Sequence, residues 1–587
     1  MIANQAIARI FDQMASALEI LGANVFRVNA YARGARVIEE LPEDLRALVE
    51  EDPPTAIHRL SALEGIGKGL AEKIAEYVEV GSVHEHQELL QQVPPTLFEL
   101  LGIPGIGPKA ARMLWQELGI KSIEDLKNTP DEKLAALPRM GKKTVENIRK
   151  ALAFNEQGTE RVPLGQALPI ALRLRNQLRE VPGVQRLEYA GSLRRGRDTI
   201  GDMDFVAVTS DPAALREAFV TRPEVSQVLA KGDTKCSVRI QTAGVAMQVD
   251  LRLVPEEAFG AALMYFTGSK EHNVRLRELA VRRNQRLNEY GLFEGKDERP
   301  QERGEKPIAS RTEEDIYRAL GFPYIEPERR EDHGELEQPA LQLITVEDIR
   351  AELHAHTTAS DGRLTIRELA MEAKRRGFHT IAVTDHSQGQ PIAGGLTPER
   401  LLQHIAAVRA ADAEIKGIKI LAGSEVDILP DGTLDYEDEL LAQLDIVVAS
   451  PHSALRQESD EATQRLLKAI RHPLVHIIGH PTGRMVNRRQ GLEPDIAAIA
   501  AAAAESDTVL ELNSNWHRLD LRDSHLRIAL EAGCNISIDT DAHHVPDFDN
   551  LPYGIITARR AGVTPDRCIN TWPAEKLHAW LRSKRGG

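Results

Sequence analysis

The stretch Glu188–Val208, EYAGSLRRGRDTIGDMDFVAV, brings residue types that bind metals and residue types that bind phosphates close together. Asp202 and Asp204 are two residues apart, so in an extended strand their carboxylates share one face and can hold the same hard cation. The preceding turn, GSLRRG at 191–196, adds a hydroxyl and two guanidinium groups, which suit the oxygens of a triphosphate. A hairpin with solvated charges is the alternative for the aspartate pair alone, but the pair and the turn together predict phosphoryl transfer.

A third carboxylate follows on a predicted neighbouring strand. Residues 160–255 alternate between helical and strand patterns, and the last strand contains QVDLR with Asp250 at its centre. Three aspartates can hold two metal ions, which lower the pKa of an attacking hydroxyl and shield a leaving pyrophosphate. The predicted elements of this region are the helix Ala167–Leu178 and the strands Leu187–Tyr189, Asp204–Val208, Val238–Thr242 and Val245–Leu253.

Composition limits the classes of function. A chain of 587 residues is too long for one core and predicts about three to five domains. The formal charge of −15 argues against a generally basic DNA-coating protein, so any contact with nucleic acid must come from local basic patches. The three cysteines are far apart and form no paired framework, which fits a reducing compartment. Because no apolar run approaches the roughly 18 residues of a membrane span, a cytoplasmic protein is expected.

Three glycine turns recur in the first 150 residues. LEGIGKGLA at 63–71 is echoed by IPGIGPKAA at 103–111 and more loosely by LPRMGKKT at 137–144. Each turn would end one helix and open another, leaving backbone N–H groups free to bind an anion. Such amides meet phosphates and not base edges, so this helix-hairpin-helix pattern predicts a grip on the DNA backbone without sequence readout. The candidate DNA contacts are Gly65, Gly67, Gly105, Gly107, Lys109 and Gly141.

An aromatic motif and a basic helix follow the aspartates. Two aromatics before a Thr-Gly break, in YFTGS at 265–269, can present a flat, crowded face to a sugar and a base. The next segment is rich in arginine and forms a local basic patch in an acidic chain. Core aromatics beside a solvated helix face are the alternative. A further helix is predicted over Ser310–Leu320.

The C-terminal 240 residues or so predict a second fold and a second chemistry. Short buried strands alternate with long helical patterns there, which indicates a parallel barrel of the triosephosphate-isomerase kind. The predicted strands are Thr380–Val383, Lys419–Ala422, Ile446–Ala449, Val475–Gly479, Thr508–Leu512 and Asn535–Ile538.

Histidines and carboxylates follow these strands and would meet at the barrel mouth. Mixed imidazole and carboxylate donors suit zinc, manganese or iron better than magnesium alone. Clustered ions that share a bridging carboxylate, for which we assign Glu425, polarise a phosphate and supply a hydroxide, so phosphoester hydrolysis is predicted. Arg484 is predicted to hold the phosphate. The predicted ligands are His354, His356, Asp361, His386, Glu425, His452, His480, Asp541 and His543.

Residues 1 to about 330 resemble the family X DNA polymerases, the class of DNA polymerase beta. GSLRRG, GDMD, VDLRL and YFTGS occur in that family's order, ahead of a closing EEDIYRALGFPYIEPERRED. The resemblance implies Mg²⁺ at Asp202, Asp204 and Asp250. It also implies a triphosphate contact at Gly191, Ser192, Arg195 and Gly201, sugar selection by Tyr265, Phe266 and Gly268, and contacts of Asn273 and Arg277 with the nascent pair or template. Lys73 matches the Schiff-base lysine of the family's deoxyribose-phosphate lyase. At an earlier position where the family's pattern has lysine, this chain has Gly69.

Residues 345–571 resemble the polymerase and histidinol phosphatase (PHP) domain that is fused to bacterial and archaeal family X polymerases. Two departures leave the ligands intact: Glu352 stands where aspartate is usual, and Pro451 precedes His452. The resemblance implies Mn²⁺ and/or Zn²⁺, two or three ions, and a 3′-5′ exonuclease that can also trim damaged 3′ ends or nick abasic sites.

The two resemblances imply a multidomain α + α/β architecture with a helix-hairpin-helix head, a nucleotidyltransferase palm of mixed sheet, a thumb, and a distorted TIM-like barrel. Residues 326–345 are charged and contain prolines, which is typical of a linker. The expected domains are 1–85 (N-terminal helical), 86–155 (fingers, DNA-binding), 156–257 (palm), 258–325 (thumb and nucleotide selection), 326–345 (linker) and 346–587 (PHP phosphoesterase).

The function expected is a repair enzyme that fills short gaps and cleans the primer end. Its expected partners are gapped or primer-template DNA and deoxynucleoside triphosphates, and a monomer without membrane contact is expected. Three alternatives stay open. They are a phosphoesterase whose N-terminal half only docks DNA, a DNA-end-binding scaffold without turnover, and a nucleotidyltransferase acting on RNA or a small molecule.

Overall fold

The computed structural model describes the chain except residues 1, 41–44, 64–65, 95, 102, 104–105, 139, 143, 146–147, 150–160, 296–299, 392 and 585–587. The chain divides into two compact units, Met1–Thr159 and Glu160–Gly587. The bounds of the six predicted domains stay predictions. No helix among the described residues is long and apolar enough to cross a bilayer.

The first unit is helical. Its core consists of the apolar faces of short helices, with side chains such as Phe11, Leu60, Ile74 and Leu114 fully buried. Short amphipathic helices of this kind are stabilised mainly by packing against one another and not by intrinsic propensity. The described helices are Ile2–Leu21, Val25–Glu40, Leu45–Glu51, Ala56–Ser61, Lys68–Val80, His84–Gln92, Leu97–Leu100, Pro108–Leu118, Ile123–Asn128 and Asp131–Ala135.

The second unit begins with a five-stranded mixed sheet. Strands β2 (Val184–Tyr189), β4 (Asp202–Thr209), β5 (Val225–Lys231), β6 (Lys235–Thr242) and β7 (Val245–Leu253) lie in the order β2-β4-β7-β6-β5. β4 and β7 are parallel neighbours, and their register sets Asp204 opposite Asp250. The separate pair β1 (Val162–Pro163) and β3 (Thr199–Ile200) is antiparallel.

Helices and a small hairpin complete this half of the unit. The helix Phe259–Thr267 ends inside the motif YFTGS. The next residue, Gly268, has a φ of +66°, a conformation that glycine adopts without strain. The hairpin pairs β8 (Gln285–Asn288) with β9 (Gly291–Glu294). The helices are Leu164–Arg179, Gly191–Arg194, Pro212–Val220, Phe259–Thr267, Lys270–Arg282 and Glu313–Ala319, with 3₁₀ turns at Glu256–Ala258 and Pro300–Arg303.

A barrel of seven parallel strands forms the rest of the second unit, and the predicted fold class is confirmed. The strands run in sequence order, β10 (Ala351–Glu352), β11 (Thr380–Val383), β12 (Lys419–Asp427), β13 (Ile446–Ser450), β14 (Ile477–Ile478), β15 (Val509–Asn513) and β16 (Ile536–Asp539). A bridge between Ala355 and Ala542 links the first strand to the last. The strands are buried throughout because helices cover them.

The helices of the barrel alternate with its strands. They are Ile366–Arg375, Pro398–Glu414, Asp438–Leu441, Ser459–Ile470, Ile496–Glu505, Asp523–Glu531, Leu551–Ala561 and Ala574–Ser583. Short 3₁₀ turns lie at Pro327–Arg329, Val346–Asp348, Val545–Asn550, Pro565–Arg567 and Ile569–Thr571.

The segment 326–345, predicted as a linker, is packed into the second unit. Arg330 is fully buried and its Nη1 lies 2.6 Å from Oε1 of Glu313. Glu335 is also buried, with Oε1 2.6 Å from Nδ1 of His272. The charged residues that suggested a solvated linker therefore lie in a buried ion pair and a buried hydrogen bond.

The sheet half and the barrel are also in direct contact. A Cβ added at Gly196 would lie 2.1 Å from Cγ2 of Ile556, so the turn 191–196 packs against the barrel helix Leu551–Ala561. Gly196 has a φ of +65°, which also favours glycine. The predicted nucleotide-binding turn is thus braced by the barrel.

Candidate active sites

A cavity of about 620 Å³ in the sheet half collects most residues predicted to hold the nucleotide. Gly201 lies at its edge, where an added Cβ would approach Nη1 of Arg161, a lining residue, to 3.1 Å. The predicted residues that line the cavity are Gly191, Ser192, Arg195, Asp202, Asp204, Tyr265, Phe266, Gly268, Asn273 and Arg277.

The three predicted aspartates stand on the paired strands β4 and β7. Burial first, then the charges of Asp202 and Asp250, raise the pKa of Asp204 to about 7. Burial and Asp250 likewise raise the pKa of Asp202. A divalent cation stabilises partly buried carboxylates that repel one another. A set of oxygen ligands alone suits Mg²⁺.

Lys235 forms an ion pair with one carboxylate of this set, Asp250. Its Nζ lies 2.6 Å from Oδ2 of Asp250, and Nε2 of Gln248 donates to Oδ1 of the same aspartate at 3.0 Å. The ligand oxygens of Asp202, Asp204 and Asp250 are spread more widely than those in the barrel. Among the described residues, only barrel groups bring three or more ligand atoms within 4.8 Å of one another.

The two arginines of the turn have different partners. Arg194 points to Glu313, with Nη2 2.7 Å from Oε2, and it also donates to the hydroxyl of Thr267. Arg195 lines the cavity, yet its Nε lies 3.0 Å from Oε1 of Glu331. Glu331 also lines the cavity. It belongs to the segment predicted as a linker, so the sequence analysis did not identify it as a site residue.

The aromatic motif forms a rigid wall of the cavity. The rings of Tyr265 and Phe266 meet edge to face with centroids 5.1 Å apart. Asn273 donates from Nδ2 to the carbonyl of Tyr265 at 2.7 Å, and Arg277 donates from Nε to the carbonyl of Asn273 at 3.2 Å. These bonds hold the aromatic wall in one position.

All nine predicted barrel ligands gather at the carboxyl ends of the strands. They form four overlapping groups whose ligand atoms lie within 4.8 Å of one another. The groups are His356, Asp361, His386 and His543; His354, Glu425 and His480; His354, His356 and Asp541; and His386, Glu425 and His452.

Glu425 stands at the centre of the cluster. Its Oε1 lies 2.9 Å from Nε2 of His480 and 3.2 Å from Nε2 of His452. Its Oε2 lies 2.9 Å from Nδ1 of His386 and 3.5 Å from Nε2 of His356. A carboxylate with imidazoles on both oxygens is the geometry required of a bridging ligand.

The donor set fits cations with mixed nitrogen and oxygen preference. Several of these buried atoms have no hydrogen-bond partner, among them Nε2 of His356, Nε2 of His480 and both carboxylate oxygens of Glu425. Buried polar atoms without partners are costly unless an ion or water binds them. Burial, with His543 and His386, lowers the pKa of His356 to about 4, which favours the neutral form of this ring.

Two outer carboxylates were missed by sequence reasoning. Oε1 of Glu511 lies 2.7 Å from Nδ1 of His354, and Oδ1 of Asp427 lies 2.5 Å from Nδ1 of His452. Such partners fix the orientation of a ligand ring and make it a better donor. Asp427 is the last residue of β12 and Glu511 the central residue of β15, and an acidic residue within such a buried strand was the signal that could have identified them.

Arg484 does not contact the metal cluster. Its Nη1 lies 3.1 Å from Oδ2 of Asp198, and its other nitrogens donate to the carbonyls of Arg518 and Leu519. Arg518 instead approaches the cluster, with Nε 3.7 Å from Oδ2 of Asp541. Proximity in sequence to His480 suggested Arg484, but the loop turns its side chain away.

Lys73 and the glycine turns lie in the first unit. Nζ of Lys73 lies 2.8 Å from Oε2 of Glu85, whose Oε1 also accepts from the hydroxyl of Tyr31 at 2.8 Å. Gly67 and Gly107 precede helices with extended backbone, and their side-chain positions supply no cap to the N–H groups of the first turn. Exposed Lys109 and Gly141 lie at the later turns. Two of the predicted DNA contacts, Gly65 and Gly105, fall outside the described residues.

Family models match four parts of the chain. The matches are to a helix-hairpin-helix domain (residues 2–83), a SAM-like helix-hairpin-helix tandem (97–153), a DNA polymerase beta thumb (262–331) and a PHP domain (352–515). An aspartate-lined nucleotide cavity and a histidine-rich metal centre on one chain define a metal-dependent nucleotidyltransferase joined to a phosphoesterase.

Three relatives show how the match extends along the chain. The "DNA polymerase/3'-5' exonuclease PolX" of Bacillus subtilis (strain 168) is 39% identical over 580 residues, which cover 98% of this chain and 99% of the relative. A protein of Thermoanaerobacter sp. (strain X514) named "Probable phosphatase" is 30% identical over 243 residues, 40% of this chain and 94% of the relative. DNA polymerase lambda of Arabidopsis thaliana is 28% identical over 355 residues, 56% of this chain and 62% of the relative. The chain belongs to the PolX family, the family X DNA polymerases with a C-terminal PHP domain.

Proposed function

We propose that the protein fills short gaps in DNA from the site at Asp202, Asp204 and Asp250 and trims 3′ ends at the barrel cluster. The observation that carries the proposal is the coexistence of two separate ligand sets in the second unit. One is an all-carboxylate set beside a nucleotide-sized cavity, and the other is a nine-ligand set of histidines and acids.

In the polymerase site, the chain's own residues bind and orient the substrates. Bound Mg²⁺ would lower the pKa of the primer 3′-hydroxyl and neutralise charge on the triphosphate. Ser192 and Arg195 line the cavity where the triphosphate would lie. Tyr265 and Phe266 would crowd the sugar against a 2′-hydroxyl. The glycine turns of the first unit would hold the DNA backbone.

In the barrel, we propose Mn²⁺ or Zn²⁺, two or three ions, because imidazoles and carboxylates are mixed in each group. Such ions would act as Lewis acids on a phosphodiester. Arg518 is placed to hold a phosphate oxygen beside Asp541. The proposed substrates are mismatched or damaged 3′ ends and abasic sites in gapped DNA, as in base excision repair.

Separate substitutions at the two sites test this assignment. Asp204→Ala should reduce primer extension on a gapped duplex at least 1,000-fold, on the order seen when a group acting on the transition state is removed, and leave 3′ degradation in Mn²⁺ intact. His386→Ala should have the converse effect. The matched controls are Asp233→Asn, at an aspartate exposed by 98%, and His472→Ala, which lies outside the cluster. Retained extension by Asp204→Ala would contradict the assignment.

A phosphoesterase with a DNA-docking N-terminal half remains the second candidate. The protein named "Probable phosphatase" is matched over 94% of its length by only 40% of this chain, which favours a self-sufficient hydrolase in that part of the chain. The complete aspartate set and the nucleotide cavity favour the bifunctional enzyme. The same extension assay separates them, because a docking platform predicts that wild type itself does not extend a primer.

A further inference from the structure

A second cavity, of about 430 Å³, lies between the sheet half and the barrel. One wall is formed by Asp198 and by Thr199 at the start of β3, and the other is the barrel loop 484–490 together with Arg522. We call this cavity the arginine groove, because Arg484, Arg488, Arg489 and Arg522 all line it. None of the predicted ligands of either metal site lines it.

The groove carries excess positive charge. Its single lining carboxylate, Asp198, is already paired with Arg484 at 3.1 Å. Asp520 and Asp523 are also close enough for their charges to affect Arg522. Asp520, however, accepts a hydrogen bond from the hydroxyl of Thr482, and Asp523 pairs with Arg560. Arg488 and Arg489 are exposed, and Nε of Arg522 is buried without a hydrogen-bond partner. Guanidinium groups without counter-charges are phosphate-binding groups.

The groove borders both active sites. On one side, Nε of Arg161 donates to the hydroxyl of Thr199 at 2.9 Å, and Arg161 lines the nucleotide cavity. On the other side, the backbone of Val486 donates to the carbonyl of His517 at 2.7 Å, next to Arg518 at the metal cluster. A strand lying in the groove would therefore pass beside residues that neighbour each of the two sites.

We propose that the arginine groove binds the phosphodiester backbone of a single-stranded 3′ tail as it passes from the nucleotide cavity to the metal cluster. A positively charged groove that follows a strand is the general form of sequence-independent single-strand binding. This inference rests on the proposed function, because it supplies the route that two activities on one primer end require.

Binding without turnover tests the groove independently of either activity. The probe is a duplex with an unpaired 3′ tail, titrated in Ca²⁺ between 50 and 200 mM KCl. The variant Arg488→Gln with Arg489→Gln should lower the slope of log Kd against log salt by about 1.4, since each single-strand phosphate contact contributes about 0.7. The variant with lysine at both positions should keep the slope, because the charges remain.

The control variant Arg367→Gln with Arg375→Gln removes two exposed arginines from an outer barrel helix. It should bind like wild type. An unchanged slope in the glutamine variant would overturn the proposal, and so would an equal loss on a blunt duplex without a tail, because the occupant would then be duplex. In Mn²⁺, trimming of the tail should fall in the glutamine variant while hydrolysis of bis(p-nitrophenyl) phosphate stays within twofold. If wild type neither extends nor trims, the proposed function fails, yet the salt slopes still decide the groove.

Discussion

Glu331 is the residue at which the barrel and the nucleotide cavity meet. Nη1 of Arg560, on a barrel helix, lies 3.0 Å from Oε1 of Glu331 and 2.6 Å from the carbonyl of Arg195. Glu331 in turn lies 3.0 Å from Nε of Arg195. The guanidinium of Arg195 is thus oriented by a carboxylate that the barrel holds in place.

The pH dependence of stability tests this ion-pair network. Against burial, the charges of Arg560, Arg195 and Arg197 lower the pKa of Glu331 to about 2 from its ordinary 4.5. A lowered folded-state pKa stabilises the fold above about pH 4.5, and the contribution is lost as the pH falls towards 2. Glu331→Gln should therefore lower the melting temperature at pH 7, by an amount corresponding to about 3–5 kcal/mol for a broken buried pair, and the deficit should shrink below pH 4.5.

Melting curves from pH 7 to pH 3.5 measure the difference between wild type and Glu331→Gln. Glu314→Gln, at an exposed position of the neighbouring helix Glu313–Ala319, is the control. A deficit that is constant over this range would show that the charge of Glu331 does not stabilise the fold.

The sequence predicts Arg484 as the phosphate-binding residue of the metal centre, whereas the structure favours Arg518. Arg518→Ala should reduce 3′ trimming on the order of 100-fold, because a positioned donor to a phosphate is removed. Arg484→Ala should chiefly lower thermal stability, since its bonds go to Asp198 and to loop carbonyls. Single-turnover trimming rates and melting curves of both variants measure this. The reverse pattern would restore the prediction made from sequence.

At the scale of elements, the barrel strands were predictable because a parallel strand covered on both faces is a continuous apolar run. The predicted Thr380–Val383 agrees with β11, and the predicted Ile446–Ala449 falls one residue short of β13. β5 escaped prediction because it is an edge strand with exposed and half-buried residues in VSQVLAK. The candidate barrel ligands could be chosen because they come at or after the ends of predicted strands. The positions of Glu331 and Arg518 depend on side-chain directions, which no local sequence pattern contains.

The brace between the turn 191–196 and the barrel makes a prediction at this scale. Gly196→Ala combines positive-φ strain with a clash against Ile556, and Gly244→Ala has the strain alone, because an added Cβ there meets nothing within 4 Å. The strain itself costs about 1–2 kcal/mol. Gly196→Ala should therefore melt lower than Gly244→Ala and raise KM for the nucleotide. Equal melting temperatures and unchanged KM would contradict the brace.

At the scale of the whole molecule, an acidic chain binds DNA through local features. The net charge of −15 includes the carboxylates of the candidate metal groups and those that pair with buried arginines. The sequence therefore predicted the fold class and the family from local motifs, and the two ligand sets stay predictions. It did not predict that the presumed linker would be a packed, ion-paired segment contributing to a site, because a charged stretch without periodicity has the same pattern in either case.

The central claim is that one chain carries two independent metal-dependent sites acting on the same primer end. The most direct measurement is a gapped duplex with a mismatched, 5′-labelled primer, followed with deoxynucleotides and Mn²⁺. Wild type should shorten and then extend the primer, Asp204→Ala should only shorten it, and His386→Ala should leave the mismatch in place while still extending a matched primer. If either substitution abolishes both activities in a protein that melts like wild type, the two sites are not independent and the claim is wrong.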